Sequence, residues 1–270
     1  MNRQTIAAGL RNLGLAQKPV AVHSSLRSFG QVAGGPQTVI EALQEICSTI
    51  LMPGFQCAAK ILPPLEERRH QNGCDYGVHF DFVNPPQPFD VATAPIHPKM
   101  GVICHTLANM PDVYRSNHPW HSWLATGEKA AAWTADHPWD TTNRPLESLE
   151  SAGGFVLLLG VSLSSCTAIH VAEERAGRKA FVRWAMNGER KLCEVLTSGC
   201  AKGFDALLPH CRHLFRVERI GNCIAQAAPI GELMKTLAQV MREQPELTRC
   251  SKECLRCNDA ILGGPLPRGL

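Results

Sequence analysis

Hydrophobic positions along this chain recur with two periods, and the alternation between them sets the expected architecture. Between Met1 and Leu15 the apolar residues Ile6, Leu10 and Leu13 fall on one helical face, with Arg3 and Arg11 away from it. That pattern predicts a surface helix rather than a signal peptide. Val20 to His23 is a short apolar run between Pro19 and a serine pair, which predicts a buried strand. Gly34, Gly35 and Pro36 then open a helix whose face carries Val39, Ile40, Leu43 and Ile46, and Pro36 suits its first turn. Ile50 to Pro53 predicts the next strand. Strand, loop, helix, strand is the sequence of a crossover unit, so the fold class is α/β.

From Pro63 to Pro98 the chain is rich in Pro, Gly, Asn and charge and has no sustained period. This predicts an irregular insertion over residues 64–98. Regular structure resumes near Gly101. Ser122 to Asp136 reads as a helix, with Trp123, Ala130 and Trp133 inward, and Leu146 to Ala152 as a shorter one. Phe155 to Gly160 is a buried strand, and Thr167 to Glu173 forms the first turns of a helix after it. Further strands are expected at Val195–Leu196 and at His213 to Glu218, and a helix from Ile230 to Arg242. There is no internal repeat or clear linker, so residues 1–270 are expected to form a single domain.

Composition narrows the class. Of 270 residues 44% are hydrophobic and 19% charged, with a net charge of +3, which fits an ordinary globular protein. Lys and Arg are scattered rather than striped, so no nucleic-acid partner is expected. No run approaches the ~20 apolar residues of a membrane span, and the expected compartment is the cytoplasm. The chain is compatible with a homodimer.

Twelve cysteines are many for such a chain, yet its size and lack of an export signal favour reduced, buried thiols. Cys250, Cys254 and Cys257 stand apart. Their spacing resembles part of a zinc site, but a closed structural site requires a fourth ligand, from Cys200, His210, Cys211 or His213. Three reduced thiols on a terminal helix is the reading preferred on spacing, ahead of zinc and of a local disulfide. No metal is expected to take part in chemistry.

Three segments could carry chemistry. His23 to Gly35 lies between a strand and a helix, and offers hydroxyls, an arginine and flexible glycines of the kind that hold an anionic phosphate ester. Arg115 to Ser122 offers a second anion contact; His118 and His121 lack a local carboxylate or thiol that would complete a metal site. In the third segment, His170 and Glu173 are three apart on one helical face, so the carboxylate can fix the tautomer of the ring and raise its basicity. On spacing alone an incidental surface ion pair competes with this. Its place after a buried strand, with Thr167 as N-cap, favours a site at the strand's C-terminal end.

These segments, in this order, resemble the aminoglycoside 3-N-acetyltransferase family. The matching residues are His23 to Gly35; Phe89, Asp90, Thr93, Pro95, Met100 and Gly101; Arg115, Ser116, His118, Pro119 and Ser122; and Thr167, His170 and Glu173. The resemblance implies a mixed central sheet flanked by helices, a cleft for CoA, and direct acetyl transfer from acetyl-CoA to an amine. It places Ser24, Ser25, Leu26, Arg27, Ser28, Gly30, Met100, Arg115 and Ser116 near CoA. His170 would deprotonate the amine, Glu173 would orient it, Thr167 would help stabilise the oxyanion, and Asp90 would support the histidine or touch the acceptor. An ammonium must lose a proton before attacking a thioester, and histidine titrates near neutrality.

The chain departs from the family pattern after Gly101, where Cys104 and His105 stand in place of the usual glutamate. The insertion supplies Asp75 and Asp81 as acceptor contacts, with His105 as a third, but it also carries Arg68, Arg69 and His70 and is not a plainly acidic cradle. The resemblance therefore implies an aminoglycoside or another small amine as acceptor. The competing expectations are a non-catalytic, zinc-stabilised CoA-binding protein of the same fold and a thioester hydrolase.

Overall fold

A computed structural model describes residues 1–56, 59–78 and 85–267. Ten strands occur among them: β1 (Pro19–Ser24), β2 (Thr49–Pro53), β3 (Lys60–Ile61), β4 (Tyr114–Arg115), β5 (Trp123–Gly127), β6 (Phe155–Leu159), β7 (Phe181–Met186), β8 (Leu192–Thr197), β9 (Arg216–Ile220) and β10 (Cys223–Pro229). The helices are α1 (Arg3–Asn12), α2 (Gly35–Ile46), α3 (Gly101–Leu107), α4 (Ala130–Ala135), α5 (Arg144–Ser151), α6 (Ala168–Arg175), α7 (Leu208–Cys211), α8 (Ile230–Glu243) and α9 (Leu255–Leu262). Seven strands form one sheet in the order β4-β5-β2-β1-β6-β10-β9. β1 runs parallel to both β2 and β6, and the outer pairings are antiparallel. The expected mixed α/β sheet is what forms.

The central strands are buried on both faces, and their period of two divides the core. Val20, Val22, Ile50, Met52, Leu157 and Leu159 point to the side covered by α1 and α2. Ala21, Leu51, Val156 and Leu158 point to the side covered by α5, α6 and α8. Each fully buried Leu or Ile on these helices contributes about 1.5–3 kcal/mol, so α8, which buries Ile230, Leu233, Met234, Leu237 and Met241, is firmly held. His23 follows Ala21 by two positions and so emerges on the α6 side. The sheet's alternation thus aims the end of β1 at the helix that carries His170.

A second sheet, β3-β7-β8, is antiparallel and stands over the C-terminal ends of the parallel strands. The described part of the 64–98 insertion docks on it. The Asn72 side chain accepts from Val182 N at 2.9 Å and donates to Val182 O at 2.9 Å, completing the β7 edge as another strand would. Its only regular structure is a short 3₁₀ turn, Leu65–Glu67, with another, Pro98–Met100, following it.

Three expectations change. Ser122 to Asp136 is not one helix: Trp123–Gly127 is β5, paired antiparallel to β2, and only Ala130–Ala135 is helical. A short apolar run buried on both faces carries no period that separates strand from helix. The strand expected at His213 to Glu218 begins at Arg216, after a 3₁₀ turn over Arg212–Leu214. β7 and β10, whose sequences mix polar and apolar residues, were not anticipated by the pattern.

One close approach and a set of buried histidines generate tests. Gly160, just after β6, has φ +67°, and a Cβ there would collide with the Ser28 side chain in the loop after β1. Gly160→Ala is expected to cost about 2–4 kcal/mol through backbone strain and overlap. Urea unfolding reads this, and a change below about 0.5 kcal/mol contradicts it.

Burial pushes four imidazoles down from 6.5: His23 to about 4, His137 to about 4, His118 to about 3, also through its neighbour His137, and His121 well below the usual value. Each binds its proton more weakly in the folded chain than in the unfolded one. Stability is therefore complete above pH ~6.5 and falls as pH drops toward 4, by about 2 kcal/mol per histidine at pH 5. Unfolding free energies that stay flat between pH 7 and 5 would contradict this.

Candidate active site

A cleft of about 590 Å³ opens where β1, β2 and β6 end. Ser24 and Pro53 close two of these strands and line it, with Val161 just beyond the third. Crevices at the carboxyl ends of parallel strands, where crossovers depart to opposite faces, are the usual ligand sites of open α/β sheets. The opposite wall comes from the small sheet, through Lys60, Arg183 and Thr197, and from Arg256 on α9.

His170 reaches this cleft from the first turn of α6. Its Nδ1 lies 2.7 Å from Glu173 Oε2, across one helical turn, as the spacing predicts. Glu173 is itself buried, and its Oε1 accepts from Arg178 Nη1 at 2.7 Å. Arg178 is held in turn by Thr248 Oγ1 at 2.6 Å and by Pro245 O at 2.7 Å. A carboxylate paired with a guanidinium is an acceptor only, so Nδ1 carries the hydrogen and Nε2 is left as the basic nitrogen. The ring edge packs on Phe204, centroids 4.9 Å apart, which restricts its rotation. Arg178 is the functional residue that local spacing missed, because it lies beyond the end of α6.

Thr167 occupies the N-cap position, but its side chain makes no capping bond and lines the cleft. Its backbone N–H donates to His23 Nε2 at 3.4 Å. Because burial keeps His23 neutral at ordinary pH, that nitrogen can accept. β1 and α6 are thus joined at the cleft floor.

Of the residues matched in the first loop, Ser24 lines the cleft and so does Met100 of the later stretch. Ser25 N donates to Leu159 O at 2.9 Å. Ser28 Oγ donates to Ser25 O at 2.7 Å, so this hydroxyl closes the loop on itself. Leu26 packs on the core, and Arg27 and Gly30 are exposed. Gly30 has φ +76°, which a side chain would strain.

The structure does not bring Arg115 and Ser116 into the cleft. The Arg115 guanidinium donates to Ala94 O at 2.5 Å, Gly54 O at 2.7 Å and Ser122 Oγ at 3.0 Å, and lies over Phe89. Each of its three nitrogens thus donates to an acceptor of the fold, and burial lowers its pKa to about 10. Ser116 is fully buried, accepting from Trp123 N at 2.8 Å and meeting His137 Nδ1 at 2.9 Å. Both anchor a turn rather than present a donor to an anion.

Asp90 and Asp75 likewise stay outside the lining: each caps its own turn, Asp90 accepting from Ala92 N at 2.7 Å and Asp75 from Gly77 N at 2.8 Å. His105 faces a different cavity beside Arg115. Asp81 lies outside the described residues. Sequence reasoning passed over Lys99, Lys60, Trp120, Arg183 and Arg256, which come from elements far apart in the chain. Lys60 sits over the Trp120 ring at 4.2 Å, and His121, half-buried, stacks on Phe55 with centroids 4.7 Å apart. Among the described residues that line the cleft there is no Asp or Glu.

Residues 21–242 match the family model of aminoglycoside 3-N-acetyltransferases. The chain is 32% identical over 255 residues to aminoglycoside N(3)-acetyltransferase VII of Streptomyces paromomycinus, covering 86% of this chain and 82% of that one. Its fold matches the YokD protein of Bacillus subtilis with a TM-score of 0.77 at 25% identity, over 90% of this chain and all (100%) of that one. It also matches AAC-IIIb, solved as a binary complex with CoASH, with a TM-score of 0.76 at 24% identity, over 90% and 97% of the two chains. With the family model spanning most of its length and a relative above 30% identity matched nearly end to end, this chain belongs to the aminoglycoside 3-N-acetyltransferase family.

Proposed function

We propose that the chain moves the acetyl group of acetyl-CoA directly to an amine, with His170 as general base, residues 1–270 acting as one acetyltransferase unit. The observation that carries this is the 2.7 Å contact of His170 Nδ1 with Glu173, on a ring that lines the cleft. His170 Nε2 takes the proton from the attacking nitrogen. The N–C bond forms at the thioester carbonyl, the C–S bond breaks, and the thiolate leaves and is reprotonated. Glu173, backed by Arg178, balances the imidazolium that forms. The Thr167 hydroxyl, not spent on capping, is the side chain offered to the oxyanion. Ser24 and Met100 are the family-matched residues placed to meet CoA, and Lys99 beside them supplies a cation for its phosphates.

The lining favours a particular class of amine. An aminoglycoside carries several ammonium groups, and the curated relatives are named for acting on such compounds. Here Lys60, Arg183 and Arg256 form the wall opposite the base, with no carboxylate among the described lining residues. Burial lowers the Arg183 pKa, so that wall already carries a desolvation cost that a second polycation would increase. An amine bearing an anionic group fits this wall better than a polycation does.

His170→Ala is expected to lower turnover by 10²–10⁴-fold while acetyl-CoA binding stays within about twofold. Unchanged turnover would overturn the assignment. Thiol release from acetyl-CoA, measured across aminoglycosides, simple amines and amino acids, should depend on the added amine and favour those with a carboxylate or phosphate. Release without any amine would indicate hydrolysis. Tight CoA binding without release would indicate a binding protein.

A further inference from the structure

The four sulfurs of Cys200, Cys250, Cys254 and Cys257 all lie within 4.8 Å of one another. Cys250 Sγ is 3.7 Å from Cys200 Sγ and 3.6 Å from Cys257 Sγ. Zinc holds thiolates at about 2.3 Å in a tetrahedron, which sets neighbouring sulfurs about 3.8 Å apart. A disulfide would require about 2.05 Å, and all four thiols are free. The first cysteine follows β8, and the other three occupy the turn before α9 and its first turn, some fifty residues later. Two chain segments with no regular pairing converge here on one point.

We propose that these four cysteines bind one zinc ion in a closed, structural four-thiolate site. Binding releases the four thiol protons, and the product carries a net charge of −2. Lys202, Arg249, Lys252 and Arg256 lie within two residues of a ligand in sequence, against two acids, Glu253 and Asp259. The need for a cross-link is visible in α9, which buries only Cys257 and Ala260 of its eight residues. Apolar burial of that size does not fix a terminal helix, and the metal does.

What it fixes is one wall of the catalytic cleft. Ser198, Gly199 and Ala201 flank Cys200, Arg256 lies between two ligands, and all four of these residues line the cleft. With four protein thiolates and no open position, such a zinc takes no part in the chemistry.

Elemental analysis and native mass spectrometry of the full chain should give one zinc per chain, with four of the twelve thiols protected from a thiol reagent until the metal is removed. Replacing zinc with Co²⁺ should give the intense visible bands of a tetrahedral thiolate complex. Cys200→Ser and Cys254→Ser should each lower metal retention at least tenfold. Hydrogen exchange in 198–201 and in α9 should rise when zinc is withdrawn. If a variant fails to fold, the wild-type stoichiometry and the Co²⁺ spectrum decide. A wild-type chain that retains no zinc from zinc-supplemented buffer, with all four thiols reactive or with masses showing disulfides, overturns the proposal.

Discussion

The buried contact between Glu173 and Arg178 is the interaction on which the working parts depend. Taking a carboxylate and a guanidinium out of water costs several kcal/mol per ion, and this is offset only when their remaining hydrogen-bonding groups are also satisfied. Here most are: Glu173 spends its second oxygen on His170, and Arg178 donates from Nη1 to Thr248 and from Nη2 to Pro245, with its Nε the one buried donor left over. Removing either charge would leave the other buried and unpaired. The geometry of the base is therefore tied to a segment seventy residues away, and that segment leads directly into Cys250.

This connection gives the C-terminal part of the chain a role that its sparse apolar content would not suggest. Lys179 N donates to Ala260 O at 3.0 Å, and Gly73 N donates to Asp259 at 2.8 Å, so α9 touches both the exit of α6 and the insertion. On one side α9 meets Lys179, the residue after Arg178, and on the other it carries Arg256 into the cleft. A helix with two buried residues is held here by the hydrogen bonds around it, to which the proposed zinc would add a link from its first turn to the end of β8.

What the sequence revealed follows from how local each feature is. His170 and Glu173 were legible because three residues on a helix are neighbours whatever the rest of the chain does. The crossover unit and β6 were legible because strands buried on both faces read as continuous apolar runs. Arg115 and Ser116 were ambiguous for a physical reason: a guanidinium and a hydroxyl look alike whether their donors face a phosphate or backbone carbonyls, and only the fold shows that each guanidinium nitrogen donates to Ala94, Gly54 or Ser122. Trp123–Gly127 misled because its length suits a strand or the start of a helix equally. Cys200 stood among four candidates for a fourth ligand, and nothing short of topology could single it out.

The two walls of the cleft are built on different principles. The wall bearing His170, Thr167, His23 and Ser24 belongs to the main sheet, where parallel strands buried on both faces leave little freedom to drift. The wall bearing Lys60, Arg183 and Arg256 belongs to a three-stranded sheet and a metal-held helix, whose apolar core is confined to a few residues such as Ala59, Phe89, Ala185 and Val195. Substitutions on that second wall change charge and shape without disturbing the packing that aims the imidazole. Cys104 and His105, where the family pattern led to the expectation of an acid, lie on α3 instead: Cys104 lines the cleft as a buried thiol and His105 faces the neighbouring cavity, so an exchange of residues there leaves the contact between His170 and Glu173 in place.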